Sequence, residues 1–240
     1  MSITREVIVY DGPGGPFEGM AVRDTAATVS RPGIMLVPNV LGTKEQDFAK
    51  AEDVAALGYV VFVADVFGQG KRTTREDPDM GRYMNELSAD RGLLRDRLAA
   101  SLSVLKGLPE CDPGKLAAIG FCFGGLCVLD MARAGLGLSA AISFHGIYNR
   151  PDYANVAPLT TRILVCHGWN DPFCPPEATI ALAQELTEGE ADWQIHAYGK
   201  TMHAFTDTEM NMPERGIAFE ATANRRSWKA MVDFLEEVFG

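Results

Sequence analysis

Short, nearly unbroken apolar runs recur along the chain at Ile34–Val37, Tyr59–Ala64, Leu116–Ile119, Ala140–Phe144, Ile163–Val165 and Trp193–Tyr198. Runs without polar alternation suit strands buried on both faces, as in a parallel sheet covered by helices. Between them the period lengthens. Phe48, Ala51, Val54, Ala55 and Leu57 share one helical face. Leu94, Leu98, Leu102 and Leu105 recur at spacings of four, four and three, and Trp228, Met231, Leu235 and Val238 repeat the pattern near the C-terminus. Ahead of these, Val7–Tyr10 and Phe17–Val22 flank a Gly/Pro cluster at Asp11–Pro16, which predicts an antiparallel hairpin. Strand alternating with helix predicts an α/β architecture: a mostly parallel central sheet with helices on both faces and an antiparallel hairpin at the N-terminus. The segment Gly68–Arg91 has turn residues early and weak periodicity later, and fits either a small cap or a long crossover.

No Ser/Gly linker, charge block or internal repeat divides the 240 residues, so a single domain over 1–240 is expected. The 22 basic residues are outnumbered by 32 acidic ones, for a formal net charge of −10. That argues against nucleic acid or an anionic membrane surface as partner, since both reward clustered Lys and Arg. The one basic cluster, Lys71-Arg72-Thr73-Thr74-Arg75, is expected to be a solvated loop; the other reading is a gate that attracts anionic substrates. Five cysteines without CxxC spacing fit a reducing compartment better than a disulfide framework. The first residues lack a signal-like apolar run, and no stretch is long and apolar enough for a membrane helix, so a cytoplasmic protein is expected. The expected partner is a small molecule, and the expected state a monomer or weak homodimer.

The most informative stretch runs from Leu116 to Met131. An apolar strand leads straight into Gly120-Phe121-Cys122-Phe123-Gly124-Gly125, and a helical pattern follows. This is the layout of a nucleophile elbow with Cys in the usual Ser position, and it predicts an α/β-hydrolase fold. A sharp strand-to-helix turn forces the nucleophile into strained backbone, and side chains at the flanking positions would collide. The turn also sets the sulfur at a helix N-terminus, where the dipole and the N–H groups favour thiolate over thiol. The N–H of Phe123 would face a developing oxyanion. The alternative is a buried structural cysteine beside a Gly-rich helix start.

The downstream sequence favours chemistry. In α/β-hydrolases the nucleophile, acid and base follow one another in that chain order. The run Arg162–Gly168 ends in a loop bearing Asp171, and Trp193–Tyr198 leads into a loop bearing His203. Loops at the carboxyl ends of strands build the site in open α/β sheets. His145 and His167, each before a Gly, are expected to be packed and hydrogen-bonded, and His196 to lie partly exposed in a strand. Cys127 falls in the helix after the elbow, Cys166 in a strand, and Cys111 and Cys174 in loops; all four are expected to be structural or incidental.

With these residues the sequence resembles the dienelactone hydrolase family, from about Gly33 to the C-terminus. The anchors are Gly120–Gly125, Ser143-Phe144-His145-Gly146, His167-Gly168 through Asp171-Pro172-Phe173, and His203-Ala204-Phe205. The resemblance implies that Cys122, Asp171 and His203 are the catalytic triad. It also implies a second oxyanion donor, the backbone N–H of Val40, in the loop after Ile34–Val37. Two positions depart from the family pattern. Asn39 stands where the family has a Glu that helps to activate the thiol, and an amide cannot take that proton, although it can donate a hydrogen bond. Ala204-Phe205-Thr206-Asp207 lacks the Arg that binds a substrate carboxylate in the family, while Arg82 falls near a second such Arg. Asn39, Arg82 and Phe205 are therefore the candidate substrate contacts.

The function expected from this reading is hydrolysis of a small activated ester or lactone through a thioester acyl-enzyme. A thioesterase or peptidase on the same scaffold, and a non-catalytic ligand-binding homologue, are the alternatives. The residues show no His-x-x-x-His helix, no cysteine cluster of ligand spacing and no phosphate-loop Lys, so neither a metal nor an organic cofactor is expected.

Overall fold

The computed structural model describes residues 2–240. The chain forms two compact units, the first ending at Ile119 and the second running from Gly120 to Gly240.

The first unit opens with strands β1 (Ile3–Tyr10) and β2 (Phe17–Asp24), which pair antiparallel from Ile3↔Asp24 to Tyr10↔Phe17. The predicted hairpin is present and longer than the apolar runs alone suggest. Strand β3 (Arg31–Val37) pairs in parallel with β4 (Val60–Val63), and β4 also pairs antiparallel with β2. With β5 (Cys111–Phe121), which runs on into the second unit, the order is β1-β2-β4-β3-β5. β3 and β4 are buried over nearly their whole length, as unbroken apolar runs require, whereas β1 is an exposed edge. Cys111 opens β5 instead of lying in a loop, because the strand starts several residues before its apolar stretch. Helix α1 (Glu45–Ala56) packs on β2 and β4, and α3 (Arg91–Lys106) packs on β3 and β4. The leucine series of α3 is buried, and its N-terminus is capped by Asp90, whose carboxylate accepts the Leu93 N–H at 2.8 Å.

The segment Gly68–Arg91 carries one short helix, α2 (Arg82–Ala89), which packs on α3. The basic cluster before it is not a freely solvated loop. The Arg72 guanidinium donates to Asp65 Oδ1 (3.4 Å) and to the carbonyls of Gly68 (3.2 Å) and Lys71 (3.0 Å), and Thr73 is buried. The carboxylate of Asp65, itself buried, draws the cation inward.

In the second unit, β6 (Ala140–Phe144), β7 (Arg162–Gly168) and β8 (Trp193–Tyr198) run parallel in that order. β6 and β7 are buried, but β8 is an edge strand and only half-buried, unlike the fully buried strand its apolar run predicts. Helix α4 (Phe123–Arg133) is buried along its whole length against β6, α5 (Pro176–Glu188) follows β7, and α6 (Ala221–Phe239) packs on β6 and β7. No helix among the described residues is long and apolar enough to cross a membrane.

Burying α4 takes the Arg133 guanidinium out of water. Its Nε and Nη2 donate to the two carboxylate oxygens of Glu185 on α5 at 2.8 and 2.9 Å, and its Nη1 donates to Asp130 at 3.2 Å. Burial alone would raise the Glu185 pKa, but the hydrogen bonds and charge of Arg133 outweigh it and hold the carboxyl below its ordinary value. Since its folded pKa is depressed, the pair stabilises the fold above the ordinary glutamate range, and that contribution is lost as pH falls through the lowered value. Glu185→Gln is expected to cost about 3 kcal/mol, because it leaves a buried cation under-compensated. It should also reduce the loss of stability on acidification. Urea unfolding at neutral and acidic pH measures both, and an unchanged midpoint at neutral pH contradicts this role.

Candidate active site

The strand-to-helix turn is made in one residue. β5 ends at Phe121, α4 begins at Phe123, and Cys122 between them has φ 56° and ψ −114°. Such a conformation is strained for a residue with a Cβ, and it persists only where its surroundings hold it. Here the Cys122 N–H donates to the Phe144 carbonyl at 3.0 Å, continuing the strand ladder onto β6. Its carbonyl accepts from Gly125 (2.9 Å) and Leu126 (3.3 Å), the first turn of α4. The glycine requirement is steric: a Cβ on Gly120 would run into the Gly124 carbonyl, and one on Gly125 would come within 2.7 Å of the Gly146 Cα and of Ser143 Oγ.

Burial separates the five cysteines. Cys122 is partly exposed, while Cys111, Cys127, Cys166 and Cys174 are buried. Burial pushes the thiol of Cys111 up to about 11 and those of Cys166 and Cys174 up to about 12, which leaves these three as poor nucleophiles near neutral pH.

Asp171 sits in the loop after β7, and His203 in the loop after β8. The His203 Nδ1 lies 2.7 Å from Asp171 Oδ2, with both side chains buried. With Nδ1 facing the carboxylate, Nε2 is the nitrogen left to meet the Cys122 side chain, which is within hydrogen-bonding reach of the ring. Burial disfavours a charged imidazole, but the charge of Cys122 and the hydrogen bonds to Asp171 and Cys122 outweigh it, and the His203 pKa is raised to about 10. His203 is also fixed through its backbone. Its N–H donates to Gly216 (2.9 Å), and its carbonyl accepts from Ala218 (3.0 Å). Ala218 belongs to, and Gly216 immediately precedes, the second strand of a two-stranded ribbon, β9 (Asn211–Met212) and β10 (Ile217–Ala218), that the sequence pattern does not announce.

Two rings flank the His203 imidazole: His145 at 5.2 Å and Phe173 at 4.9 Å between centroids, both edge-on. His145 is buried, as expected, and its Nε2 is 2.8 Å from the Thr206 hydroxyl. His167 is also buried, between the hydroxyls of Tyr148 (3.0 Å) and Thr179 (3.1 Å), and burial lowers its pKa so that it stays neutral. Phe205 is buried against Tyr198 and His145. Neither Thr206 nor Phe173 carries a sequence signal for its place beside these histidines, because each contact is made across the fold.

The remaining candidates belong to the first unit. Asn39 and Val40 lie in the loop after β3, where Asn39 Oδ1 accepts the Leu41 N–H at 3.0 Å. Arg82 opens α2 with its guanidinium 4.8 Å over the Tyr83 ring and 3.5 Å from Asp77 Oδ1. A cavity of about 440 Å³ lined by Tyr148, Arg150, Leu182 and Glu185 includes none of Cys122, Asp171 and His203 in its wall. Among the described residues, no group of three His, Cys, Asp or Glu side chains is arranged to hold a metal.

A mostly parallel sheet, its helices and a nucleophile-elbow turn define an α/β-hydrolase. The chain belongs to the dienelactone hydrolase family, whose model matches residues 17–239, and it is accordingly a hydrolase acting on carboxylic ester or lactone bonds. An uncharacterised protein from Caenorhabditis elegans is 40% identical over 157 residues, which span 64% of this chain and 99% of that one. A carboxymethylenebutenolidase homolog from Xenopus tropicalis is 22% identical over 227 residues, 90% of each chain. The crystal structure of a dienelactone hydrolase-like promiscuous phosphotriesterase from metagenomic libraries matches with a TM-score of 0.92 and 31% identity over 100% of both chains.

Gly120→Ala is expected to destabilise the protein by about 2–3 kcal/mol, the ordinary cost of overpacking, since the added methyl meets backbone and not a movable side chain. Denaturant titration tests this, and a variant as stable as the parent would mean that the turn relaxes.

Proposed function

We propose that Cys122, His203 and Asp171 act as nucleophile, general base and orienting acid in the hydrolysis of small activated carboxylic esters or lactones. One observation carries the reading: the partly exposed sulfur at the strained turn lies in reach of an imidazole whose other nitrogen is held at 2.7 Å by a buried carboxylate. The three residue types and their contacts supply what thiol-based acyl transfer needs.

His203 holds the proton of the Cys122 thiol as an imidazolium, stabilised by Asp171. The thiolate attacks the carbonyl carbon, forming the C–S bond and moving the π electrons onto oxygen. The N–H of Phe123, at the start of α4, donates to that oxyanion. The C–O bond to the leaving group then breaks, and the departing oxygen takes the proton from His203 Nε2. Water gives a proton to the neutral His203 as it adds to the thioester. The C–S bond breaks, the acid is released, and the imidazolium–thiolate pair is restored.

The sulfur constrains the substrate. From the tetrahedral intermediate a thiolate leaves more readily than a simple alkoxide, so plain alkyl esters fall back to reactants while enol lactones, aryl esters and thioesters go forward. Since the metagenomic relative is a promiscuous phosphotriesterase, an aryl dialkyl phosphate is a second substrate to assay.

Cys122→Ala is expected to lower kcat by about 10⁴-fold and Asp171→Asn by about 10²–10⁴-fold, without loss of folding, by comparison with triad enzymes. Aryl acetates should be cleaved faster than matched alkyl acetates, and a preference for the alkyl ester counts against a thiolate nucleophile. The raised His203 pKa sets the pH dependence. Its charged form is present below the ordinary histidine range and persists until pH rises through about 10, so kcat/KM should fall on an alkaline limb near pH 10. Asp171→Asn should move that limb to lower pH. Activity that instead rises as an unperturbed histidine loses its proton, near pH 6.5, contradicts a resting imidazolium.

A further inference from the structure

The loop that carries Asp171 leaves two large aromatic side chains in water, Trp169 at 42% and Phe173 at 50% exposure. It is not a loose loop. Trp169 donates to Tyr198 (3.0 Å), Asn170 to Thr201 (2.9 Å), and Asp171 to Gly168 (3.0 Å), while the Cys174 thiol donates to the Gly146 carbonyl at 3.2 Å. The Phe173 N–H donates at 2.9 Å to Asp171 Oδ1, the oxygen that His203 does not use. One carboxylate therefore holds both the imidazole and the Phe173 backbone.

Of the two rings against His203, His145 is buried and held by Thr206, so Phe173 is the one with a face open to solvent. The chemistry places the leaving group in the same spot. To take the proton from His203 Nε2, its oxygen must come within about 3 Å of that nitrogen. Any leaving group larger than a few atoms must then pass near the side chains that border the imidazole on its solvent side.

We propose that Phe173 is a specificity-determining residue that receives a planar aromatic leaving group, so that the enzyme selects flat leaving groups over bulky saturated ones of equal acidity. This rests on the Cys122–His203–Asp171 reading and adds to it a recognition element independent of leaving-group acidity. The physical basis is the edge-to-face or offset stacking that aromatic pairs favour, on a ring that rests against His203 at 4.9 Å.

The test compares phenyl acetate with hexafluoroisopropyl acetate. The two share an acyl group and have leaving groups of similar acidity, but only one is planar. For Phe173→Ala and Phe173→Leu the ratio of kcat/KM, phenyl over hexafluoroisopropyl, is expected to fall about three- to tenfold, the ordinary worth of one aromatic pair. Phe173→Tyr should retain the ratio, and competitive inhibition by phenol should weaken in step with the ratio in the first two variants. A uniform loss on both esters, with the ratio and phenol inhibition unchanged, makes Phe173 only a support for His203 and overturns the proposal. Wild-type rates in Cys122→Ala on both esters overturn the catalytic reading instead, so the two failures are distinguishable.

Discussion

The backbone at Cys122 has to change from strand to helix within a single residue, and the surrounding unit is arranged to hold it there. A positive φ at a residue with a side chain is unfavourable in isolation. It is retained because the N–H is tied to β6 and the carbonyl to the first turn of α4, so that relaxing the strain would break hydrogen bonds on both sides. The same constraint dictates glycine at 120 and 125. With side chains there, the first turn of α4 could not approach Gly120, Ser143 and Gly146 as closely as it does.

Electrostatics then distinguishes residues that burial alone would treat alike. His167 and His203 are both buried histidines in the second unit. His167 meets two hydroxyls, and burial lowers its pKa. His203 meets a carboxylate and the Cys122 side chain, and its pKa rises despite burial. Charge partners, not solvent exclusion, move the two pKa values in opposite directions. The cysteines are sorted the other way: there exposure separates Cys122 from Cys111, Cys166 and Cys174, whose thiols burial keeps protonated.

The Asp171 carboxylate links these effects to the rim of the site. Its two oxygens serve two elements, the imidazole on one side and the Phe173 backbone on the other. The Phe173 ring, which would count as a stray exposed hydrophobic group, lies beside the base at 4.9 Å. The segment at Gly216–Ala218 fixes the backbone of His203, accepting its N–H and donating to its carbonyl.

The linear order of residues was enough to establish the α/β alternation, the hairpin, the elbow at Gly120–Gly125 and the candidates Cys122, Asp171 and His203. Each of these is written in local periodicity, in turn glycines or in chain order. Edge position was only partly legible: Gln194 and His196 break the apolar run of β8, but the exposure of the whole strand, like that of β1, follows from its place at the edge of the sheet. The capture of Arg72 by Asp65, the pairing of Arg133 with Glu185 and the setting of Phe173 and Thr206 around the histidines were not legible. Asp65 and Arg72 are only seven residues apart, but their pairing needs the turn between them; the others join residues far apart in the chain and exist only once packing has set the distances and removed the water.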